Sequence, residues 1–163
     1  SARFSRGFHA ELGERWDRFR PKDRPVLSRD PAYLRWRYLE NPCFRYQFFG
    51  DNSAGGFGFA VARLGNFRRI PFGLILEWWA REPTVQTALC RQVSRWAIEH
   101  GAPLVMTLNS RLRKTEALRN GLLPMPEFLL FKNQVLMGTA GNPEGQELLL
   151  QKWDFQLGDW DGF

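Results

Sequence analysis

The sequence predicts one α/β domain spanning residues 1–163, with its helices and strands arranged as an α+β mixed sheet. Three observations lead there. Apolar residues recur at helical spacing in the opening segment, an aromatic-rich extended stretch with two turn clusters follows, and helical and extended periods then alternate. No repeat period and no low-complexity segment breaks the chain into units.

The first helix is expected over Arg6 to Phe19, where Phe8, Leu12, Trp16 and Phe19 share one face and Pro21 stops the run. A second begins at Asp30-Pro31, an N-cap acceptor followed by proline at the first helical position, and ends before Asn41-Pro42. Within it, neighbours point about 100° apart, so Trp36 is expected to pack inward while Arg35 or Arg37 remains available to an anion. Phe44 to Gly50 and Phe57 to Leu64 read as a hairpin about the turn residues Asp51 to Gly56. A second turn at Gly65-Asn66 leads into Ile70 to Ala80, whose Leu74-Ile75-Leu76 centre is apolar enough for burial on both faces. These three strands should pair antiparallel. From Thr84, expected to act as N-cap, Val85, Leu89, Val93, Trp96 and Ala97 form a helical stripe that ends at Gly101. Pro103 to Leu108 reads as a short buried strand and Arg111 to Asn120 as a short helix closed by Gly121. Phe128 to Met137 and Lys152 to Leu157 read as the last strands.

Composition bounds the function. A formal charge of +6, carried mostly by arginine, favours partners bearing phosphate or carboxylate. The basic residues are scattered rather than gathered into a stripe, and no nucleic-acid-binding signature is present, so nucleic acid is not the favoured partner. No apolar run approaches the roughly 20 residues of a membrane-spanning helix. Cys43 and Cys90 cannot build a disulfide framework and suit a reduced, cytoplasmic setting. His9, Cys43, Cys90 and His100 lack ligand spacing, so no metal is expected.

The order helix, helix, three strands, helix, strand, helix, strand, strand resembles the GNAT N-acyltransferase (N-acetyltransferase) superfamily without its usual first strand. Asn109, the short helix after it and the Gly121-Leu122 ending are similar to a run that family members often carry. Leu34-Arg35-Trp36-Arg37-Tyr38 and Leu157-Gly158-Asp159-Trp160-Asp161 resemble bacterial two-domain GNAT-like proteins related to Fem-type transferases, and suggest the carboxy-terminal half of a longer chain with a second GNAT-like domain upstream. The resemblance implies that acetyl-CoA lies where the fourth and fifth strands of the family's sheet part after Leu76, its pyrophosphate on the amino end of the helix that follows. Trp78, Trp79, Ala80, Arg81, Thr84 and Asn109 would then serve the cofactor. Glu77, at the end of the splayed strand, would take the proton of an acceptor amine. Trp36, Arg37 and Asp159 would hold that acceptor, an amine-bearing small molecule, peptide or glycan.

The chain also departs from the family pattern. Its phosphate loop should read Gln/Arg-x-x-Gly-x-Gly/Ala, whereas Arg81-Glu82-Pro83-Thr84 has no glycine, lacks the Pro83 amide donor and adds a negative charge. The tyrosine that would protonate the departing thiolate falls near Ala117 or Leu118. Two functions are therefore expected as alternatives: acetyl transfer from acetyl-CoA to an amine, or a degenerate GNAT-fold module that binds a partner domain, a peptide or a glycan. For Glu77 the alternative to catalysis is an ion pair with a nearby arginine.

Overall fold

The computed structural model describes residues 15–16, 20–22, 26–51, 57–67, 69–107 and 114–123. Arg15 and Trp16 are helical and the Arg20 amide bonds to the Trp16 carbonyl; the rest of the first expected helix, and the strands expected after Phe128, lie outside the described residues. The elements in order are helix α1 (Pro31–Leu34), a π-turn continuing it (Arg35–Leu39), strands β1 (Gln47–Asp51), β2 (Gly58–Phe67) and β3 (Ile70–Ala80), helix α2 (Pro83–Glu99), strand β4 (Leu104–Thr107) and helix α3 (Lys114–Arg119). The four strands stand in the order β1-β2-β3-β4. The first two pairings are antiparallel, as the hairpin signals require, and β4 joins β3 in parallel after the crossover through α2. The mixed α+β architecture read from the sequence is the one present.

Local chemistry explains the ends of the elements. Asp30 accepts a hydrogen bond from the Tyr33 amide at 2.8 Å, and Pro31 opens α1 behind it. Helix α2 starts two residues earlier than expected: Pro83 takes the first helical position that its fixed φ suits, Glu82 rather than Thr84 stands at the N-cap, and Thr84 is already inside the helix. Gly101 (φ 77°) and Gly121 (φ 74°) close α2 and α3 in the left-handed conformation. In each case the following amide reaches back five residues, Ala102 to Ala97 and Leu122 to Ala117.

Gly65-Asn66 is not a turn. Strand β2 continues to Phe67, with Gly65 opposite Phe72 and Asn66 opposite Pro71, and Arg69 takes positive φ (72°) in the reversal. The glycine serves contact instead of conformation, since a Cβ there would lie 2.7 Å from the Phe72 ring. Strand β4 also differs from expectation, because Leu104 is exposed and Val105 to Thr107 are only half-buried.

Two apolar clusters form on the two faces of the sheet. On one, α2 lays Val85, Leu89, Cys90 and Val93 on Ala60, Ala62, Ile75 and Trp78. Small residues in the sheet permit this approach: a Cβ at Gly58 would meet Val85 at 2.6 Å, Leu89 at 2.9 Å and the Trp79 carbonyl at 2.9 Å. On the other, Trp16, Leu34, Tyr38 and Phe48 pack with Phe59, Val61, Leu74, Leu76 and Trp79. The alternation of β3 changes phase where Val61 pairs with Glu77 and Ala62 with Ile75, leaving Leu76 as an inserted residue. Before the bulge the even residue Leu74 belongs to the second face; beyond it the odd residue Trp79 does, and Trp78 goes beneath α2.

Gly58→Ala should destabilise the protein by about 1–3 kcal/mol, because the methyl group meets backbone as well as two core side chains. Gly65→Ala should cost less, since the half-buried Phe72 ring can swing away; urea denaturation followed by circular dichroism compares the two.

Candidate functional site

The phase change in β3 carries Glu77 to the face opposite α2, into the middle of the second cluster. A carboxylate in an apolar interior needs a cation and donors for its lone pairs; the cation and one donor come from distant parts of the chain and another donor from the same strand. Oε1 accepts a hydrogen bond from the Tyr38 hydroxyl at 2.7 Å. Oε2 accepts from Arg29 Nε at 3.1 Å and from Trp79 Nε1 at 2.7 Å. Glu77 and Arg29 are both 0% exposed, so this is a fully buried ion pair. Arg29 also donates to the Leu27 carbonyl at 2.6 Å, and its guanidinium carbon stands 5.1 Å from the Trp79 ring centroid, 5.7 Å from that of Tyr33 and 6.0 Å from that of Trp16. Burial, reinforced by the neighbouring carboxylate of Glu77, holds the Tyr38 phenol well above its ordinary pKa, with Arg29 acting in the opposite sense.

Tyr38 reaches this site because of the π-turn. Leu34 and Tyr38 point into the core, whereas Trp36, expected inward, is 61% exposed. The widened turn is marked by the Glu40 amide bonding to the Arg35 carbonyl, and it alters the angular phase on which a 100° spacing depends. Arg35 is exposed and Arg37 half-buried.

At the other expected site, both tryptophans are core residues: Trp78 is 2% and Trp79 1% exposed. Trp78 Nε1 donates to the Gln86 carbonyl at 3.1 Å, tying β3 to the opening turns of α2. Trp79 meets Trp16 edge to face at 5.0 Å between centroids. Ala80 is half-buried at the end of β3, and Arg81 and Thr84 are exposed beside the start of α2. Glu82 makes no capping bond to the first turn, and its Oε2 is buried without a hydrogen-bond partner. Pairing of β3 with β4 runs from Phe72↔Leu104 to Ile75↔Thr107, and Thr107 is the last described residue of β4. The neighbour of Leu76 to Ala80 on that edge, Asn109 and Asp159 lie outside the described residues. Glu77 and Trp79 are thus brought together, Trp36 and Arg37 occupy the outer side of the turn that supplies Tyr38, and Arg81 and Thr84 sit apart at the start of α2.

Sequence reasoning missed Arg29. The signal present was a glutamate inside an apolar strand, which demands a cation, but the cation is 48 residues away in a segment with no period. Among the described residues no group of three or more His, Cys, Asp or Glu side chains converges, and no helix is long and apolar enough to cross a membrane. Cys43 is an exposed free thiol; the buried Cys90 thiol is pushed up in pKa by its burial.

No protein-family model matches the chain, and no curated protein matches it. Among solved structures, a point mutant of TTHA1254 from Thermus thermophilus superimposes with a TM-score of 0.56 at 21% identity, covering 80% of this chain and 95% of that one. This likeness is one of fold.

Glu77→Gln should destabilise the fold by about 3–5 kcal/mol, because it leaves the Arg29 cation buried without its counter-charge. Replacing both residues with apolar ones should cost less than the single change; urea titrations of the three variants decide. The raised Tyr38 pKa sets a pH dependence as well. The unfolded phenol ionises near pH 10 while the folded one stays protonated, so stability present below that pH should fall as pH rises through the alkaline range. The fall should be shallower in Tyr38→Phe, as read by thermal melts from neutral pH upward.

Proposed function

We propose that this chain is a GNAT-type domain that acts as a binding module, with its acyl-transfer machinery given over to structure. The observation that carries this reading is the saturation of Glu77. A general base must reach the proton it removes, and Glu77 is enclosed, ion-paired to Arg29 and engaged at both oxygens by Tyr38, Arg29 and Trp79. The start of α2 agrees. Pro83 lacks an amide proton, and the carboxylate of Glu82 stands where a pyrophosphate would bring more negative charge. Ancestry in the N-acyltransferases is supported by the order of elements, with three antiparallel strands, a helix and a parallel fourth strand. The module would work in the cytoplasm, with its two thiols reduced, and would bind a partner domain, a peptide or a glycan.

A second reading keeps the enzyme, and one observation favours it. Arg81 is exposed beside a 17-residue helix whose Thr84 and Val85 amides are not capped by the Glu82 side chain. In that reading those groups seat the pyrophosphate of acetyl-CoA, a strand amide near Trp79 polarises the thioester carbonyl, Glu77 receives the proton of the attacking amine, and the thiolate leaves.

Calorimetric titration with acetyl-CoA separates the two. The module gives no saturable heat and no thermal shift at millimolar ligand. Saturable binding that Arg81→Ala weakens would establish the acyltransferase reading in its place.

A further inference from the structure

We propose that the face around Trp36 docks an acidic segment of a partner polypeptide, with the exposed indole receiving an apolar anchor and the surrounding arginines receiving carboxylates. The proposal rests on the binding-module reading and names its partner class.

The π-turn and the segment after it leave three large apolar side chains in water: Trp36 at 61% exposure, Leu39 at 49% and Phe44 at 38%. The inward positions of the same stretch are taken by Leu34 and Tyr38. The exposed rings are backed by a continuous aromatic row. Trp36 lies 6.1 Å from Tyr33, Tyr33 6.4 Å from Tyr38, Tyr38 5.0 Å from Tyr46, and Tyr46 6.3 Å from Phe44. Tyr38 anchors this row to the buried Glu77, so the surface is held from beneath rather than carried on a free loop. A preorganised surface loses less side-chain entropy when a partner docks.

Arginine outnumbers acid along the segment from Tyr33 to Tyr46. Arg35 and Arg45 are exposed, and Arg37 is half-buried. Arg63 stacks 4.3 Å from the Phe44 centroid, and both Arg37 and Arg63 act on the Tyr46 phenol. Glu40 is the single acid between Tyr33 and Tyr46. Tryptophan, tyrosine and arginine without lysine is the composition of protein–protein hot spots, and planar guanidinium groups bind carboxylates in pairs.

Ring geometry favours a polypeptide over single-stranded nucleic acid. Successive bases need several open ring faces. Here Tyr38, Tyr46 and Phe44 meet edge to face, and Arg63 takes one side of Phe44. One largely open ring, Trp36, suits a single anchor.

The test is fluorescence anisotropy of the full chain with a short labelled peptide of alternating glutamate and leucine, beside its lysine–leucine counterpart and a labelled oligouridylate. Saturable binding of the glutamate peptide is expected, weakened about tenfold or more by Trp36→Ala and by Arg35→Glu. Arg91→Glu, on α2 across the sheet, should leave it unchanged, and circular dichroism confirms the fold of each variant. Tighter binding of the oligouridylate, absence of binding, or an unchanged affinity in folded Trp36→Ala overturns the proposal. The acetyl-CoA titration remains a separate measurement: peptide failure with a silent titration removes this partner alone, whereas saturable acetyl-CoA binding removes the module reading.

Discussion

The burial of one carboxylate organises half of this domain. Glu77 stands in the interior of a sheet face lined mainly by aromatic, leucine and valine side chains, where an uncompensated charge is untenable. Its partners come from three places: Arg29 from the segment before α1, Tyr38 from the π-turn, and Trp79 from its own strand. Each donor is directed at a fixed oxygen, so the network sets the position of α1 against the sheet more narrowly than apolar contact would. Apolar packing tolerates sliding; the bonds that Arg29 and Tyr38 make to one carboxylate do not.

The same network connects the interior to the surface. Tyr38 has one end on Glu77 and its ring edge-on to Tyr46, Phe48 and Tyr33. The outward residues of its turn, Trp36 and Leu39, therefore stand on a base whose register is fixed from within. The structural role of Glu77 and the binding role proposed for the Trp36 face are complementary, since the first makes the second rigid.

Much of the architecture was legible in the residues. Asp30-Pro31, the aromatic hairpin and the Val85 to Ala97 stripe gave their elements directly because each depends on local chemistry: a capping oxygen, a turn or a period. The failures have a common cause in long-range packing. Gly65 looks like a turn residue but makes room for the Phe72 ring, which approaches from the next strand. Trp36 looks inward if the helix is regular, and the π-turn rotates it out. Of the site, Glu77 stood out as a carboxylate in an apolar strand, and its ion pair was among the alternatives. Which arginine would meet it depended on a segment whose pattern carries no periodic signal. The resemblance to N-acyltransferases implied a parting of strands after Leu76, where the neighbouring edge lies outside the described residues, and it said nothing of the buried ion pair.

The inserted Leu76 has a consequence for comparing this chain with others. Strict alternation along β3 would place Glu77 beneath α2 with Ile75, and Trp78 on the far side with Leu74. The single extra residue reverses those assignments for the last part of the strand. An alignment scored on hydrophobic alternation would therefore fall out of frame midway through the strand and match the carboxylate to the wrong layer. A relative lacking that insertion would need its acidic position one step along to preserve the same interior, so equivalence between homologues is better judged from the arginine and tyrosine that meet it than from column number.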